Sequence, residues 1–249
     1  MDLSVVVPVR NEAGNIGPLI DEIRAALDAS AADYEVIYVD DGSTDATAAE
    51  LAAIARDFPR LRVVRHEASC GQSTAVRSGV RHARGAWVAT LDGDGQNDPA
   101  DIPRLLERRG EELGRQGGVV RGGAPLLCVC GYRRKRRDTW LKRLSSRIAN
   151  GVRSRLLGDS TPDTGCGLKL FSRDAFLDLP YFDHMHRFLP ALFLRAGGRI
   201  VSVEVNHRPR HAGRSKYGLH NRLWVGIVDL FGVMWLQRRA KVPVVTEVR

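Results

Sequence analysis

The stretch AWVATL at residues 86–91, followed at once by DGDGQ at residues 92–96, decides the fold prediction for this chain. A short apolar run that ends on acids predicts a buried parallel strand with polar side chains at its carboxyl end. Asp92 and Asp94 would then form a hard-oxygen site that suits Mg²⁺ or Mn²⁺, and such an ion can bridge a protein to a diphosphate. An ordinary turn rich in aspartate is the alternative interpretation of the same residues.

Two upstream segments repeat this pattern. LSVVVPVRNE at residues 3–12 and YEVIYVDDGSTD at residues 34–45 both begin as apolar strands and end on polar side chains. Open parallel sheets bind ligands in the crevice beyond the carboxyl ends of their strands. The acids expected to meet at that edge are Glu12, Asp40, Asp41, Asp92 and Asp94. Such a constellation is much rarer than any one of its motifs, and it favours a nucleotide pocket.

Helical and strand patterns alternate along the first half of the chain. Helices are predicted near residues 16–29, 45–58, 71–82 and 103–115, and further strands near residues 61–65 and 126–131. This alternation predicts an α/β fold with a mostly parallel central sheet flanked by helices. A chain of 249 residues can form one such domain. The first residues enter a strand directly, so we expect no signal peptide.

Positive charge is concentrated in one window. Residues 132–155 contain ten Lys or Arg and one acid, a net charge of +9 that equals the formal charge of the whole chain. Apolar residues recur there at helical spacing: Trp140, Leu141, Leu144, Ile148, Val152, Leu156 and Leu157. A basic amphipathic helix is typical of binding to an anionic membrane surface. A solvated basic loop is the alternative. No nucleic acid partner is expected, because neither aromatic residues for base stacking nor a known nucleic-acid-binding fold is evident.

The stretch near the C-terminus is also apolar. Residues 223–236 form a nearly continuous apolar run of about fourteen residues that contains Trp224, Phe231 and Trp235 and is interrupted by Asp229. This is shorter than the ~20 residues that cross a bilayer. Asp229 and Arg222 are expected to share a polar stripe. We predict a helix that lies on the membrane or packs against a second chain, so that a homo-oligomer is possible; a plain core helix is the third interpretation.

Taken in order, the motifs resemble glycosyltransferase family 2, whose members have the Rossmann-like GT-A fold. The matching segments are VVVPVRNE, VDDGSTDAT and LDGDGQNDP, and downstream DTGCG at residues 163–167 and GRSKYG at residues 213–218. The last two resemble the polyprenyl-phosphate branch of the family, which includes dolichol-phosphate mannose synthase. The resemblance implies a catalytic domain at residues 1–218 with a basic acceptor-side insert at about 132–158. Residues 219–249 would then form a C-terminal amphipathic helix and tail that associates with membrane or dimerises.

The resemblance also implies roles on the donor side. Asp94 and Gln96 would be the direct ligands of Mg²⁺ or Mn²⁺, with Asp92 supporting the metal or the sugar. Arg210 and Lys216 would add positive charge to the diphosphate of the donor. The nucleoside would be bound by Pro8, Arg10, Glu12, Asp40 and Asp92. A UDP-sugar is favoured over a GDP-sugar, although Arg10 stands where relatives often carry an aromatic residue.

A polyprenyl phosphate acceptor needs no general base, because the second pKa of a phosphate monoester is about 6 and its oxygen is already ionised. Candidate acceptor-binding residues are Arg133, Arg147, Asn150 and Asp163. Asp163 would act as the base if the acceptor were an alcohol, and His186 and Arg187 could face the sugar. The enzyme is expected to be peripheral, at the cytoplasmic face of the membrane. The alternatives are a family 2 transferase with a soluble or glycan acceptor, and a non-catalytic protein that binds nucleotide sugars.

Overall fold

The computed structural model describes residues 1–30, 33–115, 120–121, 124–133, 151, 153–209 and 219–241. The first half alternates strands and helices: β1 (Leu3–Val9), α1 (Ile16–Asp28), β2 (Tyr34–Asp41), α2 (Thr47–Asp57), β3 (Leu61–His66), α3 (Gln72–His82), β4 (Trp87–Thr90) and α4 (Ile102–Arg115). The second half contains β5 (Val120–Arg121), β6 (Ala124–Pro125), β7 (Leu127–Tyr132), β8 (Lys169–Ser172), α5 (Arg173–Leu177), α6 (Leu189–Arg195), β9 (Arg199–Glu204) and α7 (Leu219–Arg238). The predicted elements of the first half are confirmed, with ends shifted by one or two residues.

Seven strands form one sheet in the order β3-β2-β1-β4-β8-β7-β9, and β5 pairs with β6 separately. β1 lies between β2 and β4 and is parallel to both, and β3 is parallel to β2. β8 runs antiparallel to its neighbours β4 and β7, while β9 is parallel to β7. The prediction of a mostly parallel central sheet flanked by helices is therefore confirmed.

Helices cover both faces of the sheet. Successive side chains of a strand point to opposite sides, so each central strand contributes to the core on both faces. On β1, Val5 and Val7 belong to the cluster that packs beneath α1, whereas Val6 belongs to the cluster beneath α3. The buried residues of α1 recur at helical spacing: Ile16, Leu19, Ile20, Ile23 and Leu27. Packing on both faces fixes the strands, and the carboxyl ends of the parallel strands β1, β2, β3 and β4 share one edge of the sheet.

α7 extends over 20 residues, longer than the fourteen or so of the predicted apolar run. Among the helices that the structure describes, none is long and apolar enough to span a bilayer. One side of α7 packs on the domain: Gln237 Nε2 donates to the carbonyl oxygen of Leu157 at 2.8 Å, and Arg195 Nε donates to that of Leu236 at 2.9 Å.

Candidate active site

The predicted acids meet at the carboxyl edge of the sheet. In the register of the parallel strands, Val9 of β1 lies beside Asp40 of β2, and Val6 lies beside Thr90 at the end of β4. The loops that follow these three strands therefore open on the same crevice. This placement confirms that the three sequence segments converge, which is the geometry of ligand sites in open parallel sheets.

Asp92 is held from two sides. Its Oδ1 accepts a hydrogen bond from Gln72 Nε2 at 2.9 Å, and Gln72 is the first residue of α3. On the other side the carboxylate lies against Gly167, where an added Cβ would be 2.2 Å from Asp92 Oδ2. Burial raises the pKa of Asp92, and the neighbouring charge of Asp94 raises it further, against the opposing effects of Lys169 and Arg133.

Asp94 lies two residues on and is 8% exposed. Its Oδ1 accepts from the backbone N–H of Gln96 at 3.1 Å, which closes a tight turn. Gly93 separates the two acids and packs against β1, since a Cβ there would lie 2.3 Å from Val9 Cγ1. A side chain at this position would push the acidic loop away from the neighbouring strand.

The acidic loop fits a hard divalent cation. The charge of Asp94 raises the pKa of Asp92 by repulsion, and a cation bound between the two carboxylates would relieve that repulsion. Their oxygen donors are the ligand type preferred by Mg²⁺ and Mn²⁺. Asp92 and Asp94 would hold such an ion, with Gln96 close by on the same turn.

The loops after β1 and β2 are joined by hydrogen bonds. The backbone N–H of Asn11 donates to Ser43 Oγ at 2.9 Å, and that of Thr44 donates to Asn11 Oδ1 at 2.7 Å. Asn11 has a φ of 53°, an uncommon conformation for a residue other than glycine. The N–H of Glu12 donates to Thr47 Oγ1 at 2.9 Å. Together these contacts make the two loops one wall of the crevice.

Of the five residues predicted to bind the nucleoside, Asp92 lies on the acidic loop and the other four lie at this wall. Pro8 is half-buried, Arg10 is exposed and Glu12 is half-buried. Asp40 is fully buried and accepts from the N–H of Ser43 at 2.9 Å. Its other oxygen lies 3.2 Å from Arg65 Nε. Their binding role is untested by this geometry and stays a prediction.

Asp41 binds the loop before α3, a contact that the sequence patterns did not predict. Its carboxylate accepts from the N–H groups of Cys70 (2.8 Å) and Gly71 (3.0 Å), and from Ser69 Oγ (2.7 Å). Although burial opposes it, these bonds and one from His66 lower the pKa of Asp41. The carboxylate thereby anchors the loop that leads into α3 and to Gln72.

Arg133 and Asp163 form a bidentate ion pair. Arg133 Nε lies 2.6 Å from Asp163 Oδ2, and Nη2 lies 3.0 Å from Oδ1. Both side chains are about nine-tenths buried. Both were predicted to bind the acceptor, and Asp163 to act as the base if the acceptor were an alcohol; in the structure they pair with each other, and these roles stay predictions. Arg147 and Asn150 lie outside the described residues.

Lys169 and His186 also lie near the site. Lys169, the first residue of β8, is 4% exposed, and its ammonium donates to the backbone carbonyls of Thr164 and Cys166. Neither Lys169 nor Gln72 was predicted from the sequence. A lysine inside the apolar strand LKLF, at residues 168–171, is the sequence signal that could have identified the first of them.

His186, named as a residue that could face the sugar, instead contacts Ser73 on α3. Its Nδ1 lies 2.7 Å from Ser73 Oγ, which also accepts from the N–H of His186. Burial, with the nearby charges of Arg187 and Lys169, lowers the pKa of His186 to about 3. The imidazole is therefore neutral at ordinary pH.

The chain that follows β9 runs along the acidic loop. The N–H of Arg208 donates to the carbonyl oxygen of Gln96 at 3.0 Å, and its guanidinium binds Glu22 at 2.9 and 2.6 Å and the carbonyl oxygen of Asn97 at 3.1 Å. The described chain after β9 thus contacts the acidic loop at Gln96 and Asn97. Arg210 and Lys216 lie outside the described residues.

The outward face of α7 is apolar. Four side chains that are 60–70% exposed follow one another at helical spacing: Trp224, Val228, Phe231 and Trp235. Asp229, predicted to lie on a polar stripe with Arg222, is half-buried and lies 3.2 Å from His184 Nδ1. The acid thus contacts the domain and leaves the exposed stripe free of charge at its centre.

Comparison with known proteins gives concordant results. The family model "Glycosyl transferase family 2" matches residues 4–179. The chain is 36% identical over 245 residues to the dodecaprenyl-phosphate galacturonate synthase of Rhizobium johnstonii, covering 96% of this chain and 68% of that protein. It is 34% identical over 218 residues to the undecaprenyl-phosphate 4-deoxy-4-formamido-L-arabinose transferase of Edwardsiella ictaluri, covering 87% of this chain and 63% of the relative.

Solved structures resemble the fold. The glucosyl-3-phosphoglycerate synthase of Mycobacterium tuberculosis in complex with Mg²⁺ and UDP superposes with a TM-score of 0.65 at 23% identity. The match covers 98% of this chain and 80% of that one. At this level of identity the likeness establishes the GT-A architecture alone.

Proposed function

This chain belongs to glycosyl transferase family 2 and is a glycosyltransferase, and on that premise we propose that it transfers a single sugar from a nucleotide-sugar donor to a polyprenyl phosphate. The donor is a UDP-sugar in preference to a GDP-sugar. The curated relatives are named for transfer to dodecaprenyl or undecaprenyl phosphate, which supports this class of acceptor. The observation that carries the proposal is the position of Asp92 and Asp94. They lie at the carboxyl edge of the sheet, where the loops after β1 and β2 also begin.

In the proposed reaction, an oxygen of the acceptor phosphate attacks the anomeric carbon of the sugar. The bond from that carbon to the diphosphate breaks, and the nucleoside diphosphate leaves with the electron pair, so that the configuration inverts. The attacking oxygen is ionised near neutral pH, because the second pKa of a phosphate monoester is about 6. The site must therefore bind two anions in line and need not remove a proton.

The donor is bound at the acid pair. Asp92, Asp94 and Gln96 would hold Mg²⁺ or Mn²⁺, which would supply a Lewis acid for the departing diphosphate. Pro8, Arg10, Glu12 and Asp40 bind the nucleoside along the wall formed by the first two loops. The position of Arg208 beside Gln96 supports a role for Arg210 and Lys216 at the diphosphate, since the chain enters their segment at this point.

The acceptor is bound on the opposite side, by Arg133, Arg147 and Asn150. The carboxylate of Asp163 is engaged in its ion pair with the guanidinium of Arg133. This pairing agrees with a phosphate acceptor, which needs no base. Asp163 in turn orients Arg133 at the site.

The protein associates peripherally with the cytoplasmic face of the membrane, where its acceptor lies. The exposed stripe of α7 supports this, because tryptophan side chains at both ends of an apolar face are typical of membrane interfaces. The concentration of Lys and Arg in residues 132–155 supports attraction to anionic lipid. We assign catalysis to residues 1–218 and membrane association to the basic segment at 132–158 and to residues 219–249. A homo-oligomer formed through α7 is the competing use of this surface.

The transfer reaction is tested with radiolabelled UDP-sugars and undecaprenyl phosphate in detergent, followed by extraction into an organic solvent. Label in the organic phase, dependent on both the lipid and Mn²⁺, is the expected result. Label only in water-soluble products would instead assign a soluble or glycan acceptor. Binding of UDP-sugar without turnover of any donor would indicate a non-catalytic binding protein.

Membrane association is tested by sedimentation with anionic vesicles. Replacement of Trp224, Phe231 and Trp235 by serine should reduce the bound fraction, whereas Val63→Ser, which removes an exposed apolar side chain on β3, should not. Unchanged sedimentation of the triple variant, together with a change in its oligomeric state by light scattering, would assign the stripe to a second copy of the chain.

A further inference from the structure

Lys169 is a buried cation that donates to backbone carbonyl groups. Its ammonium donates to the carbonyl oxygen of Thr164 at 3.3 Å and to that of Cys166. Within the described residues no carboxylate lies within ion-pair distance of it, although the residue is only 4% exposed. Burial of a charge is costly unless other charges or hydrogen bonds compensate it. An anion bound nearby would stabilise this buried charge further.

Lys169 lies on the strand next to the one that leads into the acid pair. In the backbone register Lys169 pairs with Thr90, and Asp92 follows Thr90 by two residues. Lys169 is therefore placed beside the start of the acidic loop.

The loop that Lys169 holds joins the two sides of the site. At its end, Gly167 contacts the carboxylate of Asp92, and its carbonyl oxygen accepts from Thr90 Oγ1 at 2.7 Å. At its start, Asp163 binds Arg133 through two hydrogen bonds. The carbonyl groups that Lys169 binds lie between these two contacts. A shift of the loop would move the donor-side acid and the acceptor-side arginine together.

We propose that Lys169 is a positioning residue of the transfer reaction, which fixes the loop at residues 163–167 between donor and acceptor and contributes one positive charge to the pocket of the donor diphosphate. This inference rests on the proposed function and adds a residue to it. A charge in this position repels the metal ion and attracts the nucleotide. Its removal must therefore change the two affinities in opposite directions.

The test uses the full chain with three substitutions. Lys169→Met removes the charge and the hydrogen bonds, Lys169→Gln removes the charge and keeps a donor, and Lys169→Arg keeps both. Calorimetry measures the affinity for Mn²⁺ alone and, in the presence of a chelator, for UDP alone. For the Met and Gln variants we expect Mn²⁺ to bind about three- to tenfold more tightly and UDP about three- to tenfold more weakly, the size expected of a unit charge several ångströms away. Lys169→Arg should remain within about twofold of wild type.

Steady-state kinetics then test whether Lys169 also positions the loop at residues 163–167. Lys169→Met should lower kcat and raise the KM for undecaprenyl phosphate, because the loop also holds Arg133, and Lys169→Arg should restore both. If one uncharged variant fails to fold, as seen in its circular dichroism, the other carries the test.

Three outcomes would overturn the proposal. Affinities within twofold of wild type would mean that the charge does not reach the pocket. An equal weakening of both ligands would indicate general damage to the structure. If the wild type bound neither Mn²⁺ nor UDP, the proposed function would fail and the role of Lys169 with it. If the wild type transferred no sugar, but the Met and Gln variants still bound Mn²⁺ more tightly and UDP more weakly, only the proposed acceptor or sugar would be contradicted.

Discussion

The carboxylate of Asp92 occupies the space that a side chain at Gly167 would fill, since a Cβ there would lie 2.2 Å from Asp92 Oδ2 and 2.4 Å from Cγ. The two residues come from segments 75 positions apart, one after β4 and one before β8. The absence of a side chain at Gly167 is thus a condition for the position of Asp92.

Gly167→Ala should therefore displace the acid while the domain stays folded, because the end of one side chain can move away. We expect weaker Mn²⁺ binding and a fall in kcat of about 100-fold, the cost of a misplacement of about 1 Å in an active site. Gly165→Ala is the matched control, because its Cβ would meet only ordinary contacts at 3.4 Å and beyond. Equal kinetics for the two variants would contradict this account of Asp92.

Asp94→Asn tests the metal site directly. The amide can still accept the hydrogen bond from Gln96 N–H, so the turn should persist, but the negative charge is lost. Turnover should fall on the order of 1000-fold, because metal stabilisation of a leaving group contributes several kcal/mol. Radiolabel transfer measures this. Wild-type protein in a chelating buffer should lose activity likewise and regain it with Mn²⁺; full activity in the chelator would rule out a metal role.

The pair Arg133 and Asp163 should contribute to stability as well as to binding. Removal of one partner leaves the other charged and nearly buried, which costs about 3 kcal/mol or more. We expect Arg133→Ala and Asp163→Ala each to lower the free energy of unfolding by about that amount, and the double variant to lose less than the sum. Urea denaturation measures all four proteins. Strict additivity would show that the two side chains do not interact.

The neutral His186 predicts how stability depends on pH. The imidazole has a pKa near 6.5 when unfolded and about 3 in the folded protein. Between these values the unfolded state binds the extra proton, so stability is complete above pH 6.5 and is lost as the pH falls towards 3. One proton gives a slope of up to about 1.4 kcal/mol per pH unit. Urea denaturation between pH 4 and 8 should show a shallower loss for His186→Asn; identical slopes would mean that the folded imidazole protonates normally.

Local patterns were enough to predict the strands and helices that form the crevice. β1, β2 and β4 are apolar runs that end on polar residues, and their burial on both faces requires a parallel sheet with helices on each side. The meeting of the acidic loops follows from this topology. The resemblance to family 2 could also be recognised from these segments, because its motifs lie at the ends of the same strands.

Contacts between distant segments could not be predicted in this way. Nothing in the sequence near Asp41 indicates that it anchors the loop before α3, and nothing near Asp163 indicates that Arg133 is its partner. Likewise, Asp229 was expected on a polar stripe of α7, but it contacts His184. In each case the partner depends on how different elements pack together. The periodicity within one element gives no information on that packing.

The sequence by itself determined the order of strands and helices, the edge at which the acids gather and the family, because these follow from hydrophobic period and from short motifs within single segments. Only the tertiary structure decided which groups surround Asp92, that Lys169 is buried beside it and that α7 turns its tryptophans outward. Those features depend on side chains brought together across tens of residues, where distance and desolvation set the chemistry.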